Sequence, residues 1–279
     1  MRNVELNTEG KNYPKTKNYF QKFIIRKLFG RKLYKYFKYL KIILLYKFGR
    51  EFEISKFLRQ IIEKDFVIMD IGANLGQYSV RFTDYLKNTG LVVSVEPVKE
   101  NYEYLNRLKE KYKLSNLRCI NCAVSDFSGE EILSIPLVSK NIELDTRATI
   151  DKNNYYFSYD CYTEQKVTVK KLSEIVEEMG VERLDIVKSD TEGNDEKVIL
   201  GSIDLIKRFF PLVLVEDSHK ENWLQKLYET GYNPFYVYND LHLIDAFQSE
   251  HYEKRKTKYD LLVLVHSNSI NKFEKYIHI

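Results

Sequence analysis

Short apolar segments alternate with longer segments of helical periodicity from about residue 65 onward. The apolar segments have the length of buried strands and read FVIMDI, LVVSVE, LRCINCAV, LDIVKSD and PLVLVED. Between them, apolar residues recur three and four positions apart, which predicts helices around residues 77–87, 98–113, 172–179, 194–209 and 221–230. This alternation predicts an α/β fold, a doubly wound parallel sheet with helices on both faces.

Residues 128–166 interrupt this alternation. They begin with EEILSIPL, which predicts a hairpin, and continue into a polar, tyrosine-rich insertion of about residues 138–166. A connection of that length in a compact domain is typical of a lid or a substrate loop. Further on, YVYND, LHLID and KYDLLVLVH predict a closing hairpin-type arrangement of strands.

The N-terminal segment differs from the remainder in charge. Residues 11–50 carry 13 Lys or Arg and no Asp or Glu, and residues 1–10 have a net charge of −1. Because the net charge of the whole chain is +4, residues 51–279 have a net charge of −8. Apolar residues in the basic segment recur at helical spacing, which predicts one or two amphipathic helices broken near Gly30. We therefore divide the chain into a basic helical extension, residues 1–50, and one domain, residues 51–279.

Two placements of this extension are open. It could pack over the domain with its lysines in solvent, or residues 11–50 could lie on an anionic membrane surface. Its longest apolar run, IILLY, is far shorter than the roughly 20 residues of a spanning helix, and the start MRNVELNTEG has no apolar leader. A cytoplasmic protein is expected, with contact to the inner face of the membrane as the second possibility.

The three cysteines do not form a disulfide framework, because their number is odd. Cys119 and Cys122 form a C-x-x-C pair inside the predicted strand LRCINCAV, with no second pair of metal ligands nearby. We expect buried thiols in a reducing compartment, with no metal or redox role.

The segment VIMDIGANLGQYSV, residues 67–80, contains the first strand-to-helix turn. In an open parallel sheet the ligand lies beyond the carboxyl ends of the strands, and this turn approaches it closely. Gly72 and Gly76 fit such a turn, and Asn74 is a residue type that tolerates a left-handed conformation. Asp70 places a carboxylate beside the turn, which suits a positive amino group and repels a pyrophosphate. The dinucleotide fingerprint G-x-G-x-x-G is also absent.

The second predicted strand ends in Glu96, and Pro97 holds this residue extended before the next helix. A carboxylate at that position can accept both hydroxyls of a ribose. An amino acid moiety at Asp70 and a ribose at Glu96 together indicate S-adenosylmethionine (SAM) as the ligand.

Six motifs in this order resemble the FkbM-type methyltransferases, a branch of the class I SAM-dependent enzymes. The resemblance covers about residues 64–235, and the motifs are DIGANLGQYS, SVEP, NCAVSDFSG, VKSDTEGNDEKVILGS, PLVLVE and LYETGY. It implies a Rossmann-like sheet of seven strands, SAM as methyl donor, and a hydroxyl of a sugar or a polyketide-linked glycan as acceptor.

The resemblance also assigns residues to parts of the cofactor. It places Glu96 on the ribose and Ala123 with Val124 near the adenine. Around the methionine end it places Asp70, Gly72, Asn74, Gly76 and Tyr78. One departure from the family pattern is Asp195, which stands where a Glu is usual.

Chemistry is expected at KSDTEGND, because the fourth strand brings Lys188, Asp190 and Glu192 to the carboxyl edge of the sheet. Methylation of a hydroxyl requires in-line approach to the methyl carbon and removal of a proton. Asp190 is the first candidate for the base or for a substrate anchor. Glu192 either shares in the chemistry or is a structural acid that accepts amide hydrogens at a helix N-terminus.

His219, just after the fifth strand, is a second candidate base, although a lone His at such a rim is more often a solvated loop residue. A divalent metal held by Asp190, Glu216 and Asp217 is conceivable from the oxygen ligands, but nothing in the sequence shows that they converge.

Two other classes of function remain open. A nicotinamide oxidoreductase shares the alternating pattern but needs a phosphate-binding glycine turn of another type. A non-catalytic binding module is compatible with the basic N-terminus. The motifs lie in the acidic part of the chain, so nucleic acid is not expected as a partner, and a small molecule or glycan is.

Overall fold

The structure is a computed structural model that describes residues 5–6, 12–13, 54–87, 89–139, 142–143, 147–150, 162–216, 221–238, 242–246 and 261–278. The helices are α1 (Ser55–Ile61), α2 (Gln77–Tyr85), α3 (Lys99–Tyr112), α4 (Leu172–Glu178), α5 (Asp195–Leu200), α6 (Ile203–Phe209) and α7 (Glu221–Glu229). Two 3-10 helices follow at Ser267–Lys272 and Glu274–Tyr276.

The strands of the first half are β1 (Glu5–Leu6), β2 (Asn12–Tyr13), β3 (Val67–Ile71), β4 (Leu91–Val95), β5 (Leu117–Ile120), β6 (Ala123–Val124), β7 (Gly129–Ser139) and β8 (Ile142–Glu143). Those of the second half are β9 (Tyr162–Lys170), β10 (Ile186–Ser189), β11 (Leu212–Glu216), β12 (Tyr232–Tyr238), β13 (His242–Asp245), β14 (Leu261–His266) and β15 (Ile277–His278). β1 and β2 pair with each other, and the basic helices predicted beyond them lie outside the described residues.

The main sheet has nine strands in the order β15-β13-β12-β14-β11-β10-β3-β4-β5. The strands from β11 to β5 are parallel, and β14 runs antiparallel between β11 and β12. The α/β fold predicted from the sequence is confirmed. The sheet exceeds the implied seven strands, because β13 and β15 extend its edge beyond β12.

The central strands are apolar on both faces because helices cover both faces. Ile68 of β3 joins one buried cluster with residues of α1, α2 and α3. Its neighbour Met69 points to the other side and joins the cluster of α4, α5, α6 and α7, which includes the buried Trp223. The sheet is therefore doubly wound, and its carboxyl edge is fixed between two packed layers.

A second sheet has the strand order β6-β9-β7-β8. It shows that two predictions from the sequence, the strand LRCINCAV and the hairpin EEILSIPL, were wrong. The segment LRCINCAV is split between β5 and β6, which belong to different sheets, and EEILSIPL lies within the single strand β7. β7 pairs with β9 from Gly129↔Val169 to Pro136↔Tyr162, so the last residues of the predicted insertion form a strand. The chain turns between β5 and β6 at Asn121, whose Nδ2 donates to the Glu96 and Pro97 carbonyls at 2.7 and 3.1 Å.

The second sheet contacts the loop that follows β4. Gln165 Nε2 donates to the Pro97 carbonyl at 2.9 Å, and the Lys99 N–H donates to Gln165 Oε1 at 3.2 Å. Val98 from the same loop packs with Leu133 and Val169 in a third apolar cluster. The loop after the second parallel strand is therefore held by both sheets.

The predicted helix at 194–209 is two helices. Its interruption falls at Gly201 and Ser202, where Ser202 Oγ donates to the Val198 carbonyl at 2.6 Å. A Cβ on Gly201 would lie 2.6 Å from Asp126 Cα, so a side chain has no room at this position. Within the described ranges no helix has both the length and the apolar character needed to cross a bilayer.

The C-x-x-C thiols lie in the protein interior as expected. Cys122 is buried and Cys119 is half-buried. Burial raises the pKa of Cys119 to about 11 and that of Cys122 to about 12, so both are protonated at neutral pH.

Candidate cofactor and catalytic site

The turn between β3 and α2 brings the backbone close to two neighbouring strands. The N–H groups of Gly72 and Ala73 both donate to the Val95 carbonyl at 3.0 Å. Gly72 has φ +71°, and a Cβ there would lie 1.9 Å from the Asp190 carbonyl oxygen. Only glycine fits at this position, because both the left-handed backbone and the space exclude a side chain.

The two other turn residues also have left-handed backbones. Asn74 has φ 52°, which confirms the conformation predicted for it, and Gly76 has φ 84° at the N-cap of α2. A Cβ on Gly76 would lie 2.4 Å from Leu105 Cδ1, so its role is close packing of α2 against α3.

Glu96 fixes the turn and the loop after β4 relative to each other. Its buried carboxylate accepts the Asn74 N–H at 2.7 Å on Oε2 and the Val98 N–H at 2.9 Å on Oε1. Asn101 Nδ2 is a third donor, 3.4 Å from Oε1. An ionised carboxylate has about four acceptor positions, so a ribose would share these oxygens with protein donors.

A cleft of about 260 Å³ opens at the carboxyl edge of β3, β4 and β10, near the lower end of the range for small-molecule sites. Its main-sheet side is lined by Ile71, Gly72, Asn74, Val95, Glu96, Pro97, Val98, Asp190, Thr191, Glu192 and Asn194. Its other side is lined by Cys122, Ala123, Val124, Leu133, Ala148, Thr149 and Ile150. Seven of the predicted site residues thus line one cleft, together with a wall from the second sheet that the sequence did not reveal.

Asp70 does not line this cleft, so its expected contact with an amino group stays a prediction. It is fully buried, pairs with Lys188 Nζ at 3.0 Å and accepts the Ser79 hydroxyl hydrogen at 2.5 Å. Asp70 and Lys188 are register partners on β3 and β10. Each is the one charged residue of its buried strand, and since buried charges must be paired, this pattern is a signal that could have identified the pair.

Lys188 is also buried and lies outside the cleft lining, so it is not placed to contact a substrate directly. Its Nζ lies 3.8 Å from Asp190 Oδ2 and 5.0 Å from the centre of the Tyr78 ring, and Tyr78 likewise does not line the cleft. Burial alone would lower the pKa of Lys188, but the charges of Asp70 and Asp190 outweigh it and raise this pKa. Lys188 is therefore protonated at neutral pH, and its ammonium lies beneath the cleft.

Asp190 lines the cleft together with Glu96 and Glu192, and 38% of its side chain is exposed. Its N–H donates to the Ile71 carbonyl at 3.1 Å, so the backbone of Asp190 is tied to the glycine turn. A fixed backbone with a partly exposed carboxylate suits either proton removal or a polar contact to a ligand.

Asp195 holds the loop after β10. Its Oδ1 accepts the Thr191 N–H at 3.1 Å and the hydroxyls of Thr191 and Ser189 at 2.9 and 2.5 Å. Burial raises the pKa of Asp195, and the hydrogen bonds from Ser189 and Thr191 oppose that shift. Glu192 instead lines the cleft with a left-handed backbone, φ 52°.

Asn194 joins this loop to the second sheet. Its Nδ2 donates to the Val124 carbonyl at 2.7 Å, and Ser125 Oγ donates to its Oδ1 at 3.4 Å. Ala123 and Val124 are thereby held on the cleft wall, beside the loop that carries Asp190.

Several candidate residues lie outside the described part of the chain. These are His219, Asp217, the side chain of Glu216, and the insertion residues Tyr155, Tyr156 and Tyr159. Among the residues that the structure does describe, no group of three or more His, Cys, Asp and Glu converges as a metal site. The conceivable trio of Asp190, Glu216 and Asp217 therefore stays a prediction.

The cleft fits the adenosyl cofactor that the sequence indicates. The glycine turn lines the cleft at Gly72, Glu96 offers a carboxylate at the end of β4, and Val98, Ala123 and Val124 offer apolar surface. Glu96 would hold the ribose, the Gly72–Gly76 turn would hold the methionine moiety, and Ala123 with Val124 would contact the adenine.

Glu96→Ala is expected to weaken SAM binding by about 1.5–3 kcal/mol, the range for a hydrogen bond to a charged group. The variant also leaves the Asn74 and Val98 N–H groups without this acceptor, so a small loss of stability accompanies it. Titration calorimetry measures the affinity. Glu103→Ala, which removes an exposed carboxylate on α3, is the control and should bind SAM like the wild type.

Comparison with known proteins identifies the family. Residues 70–254, well over half of the 279-residue chain, match the methyltransferase FkbM domain. Among curated proteins, none matches the sequence.

Solved structures of similar fold have low sequence identity to this chain. Methyltransferase FkbM from Methylobacillus flagellatus KT has 13% identity and a TM-score of 0.47 over 74% of this chain, which corresponds to only 44% of that chain. Aeropyrum pernix fibrillarin, with natively bound SAM, has 12% identity and a TM-score of 0.41 over 74% of this chain and 67% of its own. The N-terminal domain of human METTL16, in complex with S-adenosylhomocysteine (SAH), has 11% identity and a TM-score of 0.39 over 95% of this chain and 88% of its own. On the strength of the domain match over residues 70–254, this chain belongs to the FkbM methyltransferase family.

Proposed function

We propose that the protein transfers the methyl group of SAM to a hydroxyl of a sugar, a glycan or a related small-molecule acceptor. The observation that carries this proposal is the single cleft with Glu96 at the end of β4 and the partly exposed Asp190 carboxylate at the end of β10. Bound SAM supplies an electrophilic methyl group. Asp190 would accept the hydroxyl proton as the oxygen attacks.

The walls of the cleft support a hydroxylated acceptor. Leu133 of the second sheet and Ile150 offer apolar surface, and Thr149, Thr191 and Glu192 offer polar groups beside it. A sugar presents C–H faces and hydroxyls together, so it needs both kinds of surface. Three carboxylates in the same cleft, Glu96, Asp190 and Glu192, disfavour the pyrophosphate of a nicotinamide cofactor.

The proposal also assigns the tyrosine-rich insertion to binding of the acceptor, on the basis of its sequence. Tyrosine rings give flat apolar surface with a hydroxyl at the edge, which suits a carbohydrate. Tyr162, at the start of β9, is 38% exposed, and β9 is a strand of the sheet that forms the cleft wall. Shortening the insertion should mainly impair binding of the acceptor.

A labelled-methyl experiment tests the reaction. The protein is incubated with [methyl-³H]SAM and fractions of a deproteinised cell extract, and products are treated with mild alkali. We expect label in a neutral product that survives alkali, because a methyl ether is stable where a methyl ester releases methanol. Label that is wholly released by alkali would contradict a hydroxyl acceptor, and SAH in excess should abolish the signal.

We further propose that the basic segment, residues 11–50, binds an anionic membrane surface. Its support is the charge pattern: 13 basic and no acidic residues with apolar residues at helical spacing. A basic amphipathic helix gains both apolar burial and electrostatic attraction on such a surface.

Deleting residues 1–50 is expected to abolish sedimentation with liposomes that contain phosphatidylserine and to leave SAM binding intact. The physical reason is that the remaining chain carries −8 and is repelled by the anionic surface. Neutral phosphatidylcholine liposomes are the control and should retain little of either form. Equal sedimentation of the full and truncated chains would favour the alternative that the segment packs over the domain.

A further inference from the structure

Three charged side chains form a chain of contacts from the sheet interior to the cleft, and we call Asp70, Lys188 and Asp190 the charged trio. Lys188 Nζ lies 3.0 Å from Asp70 Oδ1 and 3.8 Å from Asp190 Oδ2. Asp70 and Lys188 are buried, whereas Asp190 has 38% of its side chain exposed in the cleft. The trio thus connects a buried ion pair to the carboxylate that faces the ligand.

Lys188 contacts Asp190 in addition to its ion pair with Asp70, and the ion pair alone does not explain this second contact. One carboxylate would suffice to neutralise a buried ammonium, yet Lys188 Nζ also approaches Asp190. Asp70 receives an additional hydrogen bond from Ser79, and the Lys188 ammonium lies over the Tyr78 ring. These contacts fix the ammonium of Lys188 in the protein interior. It therefore provides a fixed positive charge beside Asp190, on the side away from the cleft.

We propose that the charges of Lys188 and Asp190 together set how strongly the cleft distinguishes the cationic donor SAM from its uncharged product SAH. This inference rests on the proposed function. Asp190 and Glu192 lower the energy of a positive charge in the cleft, while the buried ammonium of Lys188 raises it. The two effects act on the sulfonium charge, because SAM differs from SAH only in the methyl group and in the positive charge that this group gives the sulfur.

The magnitude follows from Coulomb's law. One unit charge at about 10 Å, with an effective dielectric constant of about 25–50 for a partly exposed cleft, changes the binding of a cation by a factor of about three to ten. The ratio Kd(SAH)/Kd(SAM) isolates this effect. A distorted cleft or a smaller fraction of folded protein would weaken the binding of SAM and of SAH together, and the ratio would stay the same.

Titration calorimetry of the full chain with SAM and with SAH tests the proposal. Asp190→Asn should lower the ratio Kd(SAH)/Kd(SAM) by about three- to tenfold, whereas Lys188→Met should raise it by a similar factor. Asp204→Asn, at an exposed position on α6, is the matched control and should leave the ratio unchanged. A merely structural role for Lys188 predicts weaker binding of both ligands and a constant ratio.

A second variant keeps the test decisive if Lys188→Met does not fold, since that change leaves Asp70 buried without its partner. Asp70→Asn/Lys188→Met removes both charges of the buried pair and should raise the ratio by a smaller factor, because the lost negative charge of Asp70 partly offsets the lost positive charge of Lys188, which is the member that contacts Asp190. Circular dichroism and thermal melting establish that each variant is folded. An unchanged ratio in Asp190→Asn or in a folded Lys188 variant overturns the inference and leaves the proposed function standing. A folded wild type that binds neither ligand overturns both.

Discussion

Asp190→Asn is expected to lower turnover with the identified acceptor by about 10²–10⁴-fold, the usual share of general-base catalysis. The amide keeps the size of the side chain but cannot accept the proton of the attacking hydroxyl. SAM affinity should fall by no more than about tenfold, because only one charge contact changes. Single-turnover rates measured at saturating SAM separate the chemical step from cofactor binding.

Two comparisons make the Asp190 result interpretable. Asp204→Asn carries the same chemical change on an exposed face of α6 and should keep wild-type turnover. Near wild-type turnover in Asp190→Asn would show that another group takes the proton, and His219 would then be the residue to change. A rise in the Michaelis constant of the acceptor with unchanged kcat would instead make Asp190 a substrate anchor.

Gly72→Ala is expected to destabilise the domain by about 2–5 kcal/mol and to abolish measurable SAM binding. The left-handed backbone costs an alanine about 1–2 kcal/mol, and overpacking adds about 1–3 kcal/mol. The added Cβ would lie 1.9 Å from the Asp190 carbonyl oxygen, so the turn and the end of β10 must separate. Urea denaturation measures the free energy of unfolding, and calorimetry measures SAM affinity.

Gly180→Ala separates the two contributions. Gly180 has φ +60°, but a Cβ there meets nothing within 4 Å. This control should cost only the strain of the left-handed backbone, about 1–2 kcal/mol, and should bind SAM normally. An equal loss of stability in the two variants, with SAM binding retained in Gly72→Ala, would contradict close approach of the turn to β10.

The main elements could be predicted because their signal is local. The segments VIMDI and LVVSV are short apolar runs, and α3 shows the period of a half-buried helix, so neighbouring residues decide their structure. The left-handed turn residue Asn74 could also be predicted, since only a few residue types tolerate that backbone.

The second sheet could not be predicted as such, because its pairing is not local. β6 is only two residues long and pairs in parallel with β9, more than forty positions later. Nothing in LRCINCAV marks the turn except Asn121, whose partners are the carbonyls of another loop. Leu133 and Ile150 of the cleft wall were missed for the same reason.

The surroundings of the acidic site residues depend on contacts that the sequence does not reveal. The carboxylate of Asp70 was expected to face a ligand, but the ammonium of Lys188 lies on the adjacent strand and neutralises it within the sheet. Likewise Asp195, one of two acids near the start of α5, accepts the loop hydrogen bonds considered for Glu192. Strand register and the conformation of the loop after the strand decide which acid of a cluster faces a ligand. Amino-acid composition determines neither of them.

Titration calorimetry of the full chain with SAM tests most directly that the cleft between Glu96 and Asp190 is a SAM site. Binding of one SAM per chain with micromolar affinity is predicted, weakened by about 1.5–3 kcal/mol in Glu96→Ala and unchanged in Glu103→Ala. Folded protein that takes up no SAM, or that binds it equally well after Glu96→Ala, would contradict this assignment.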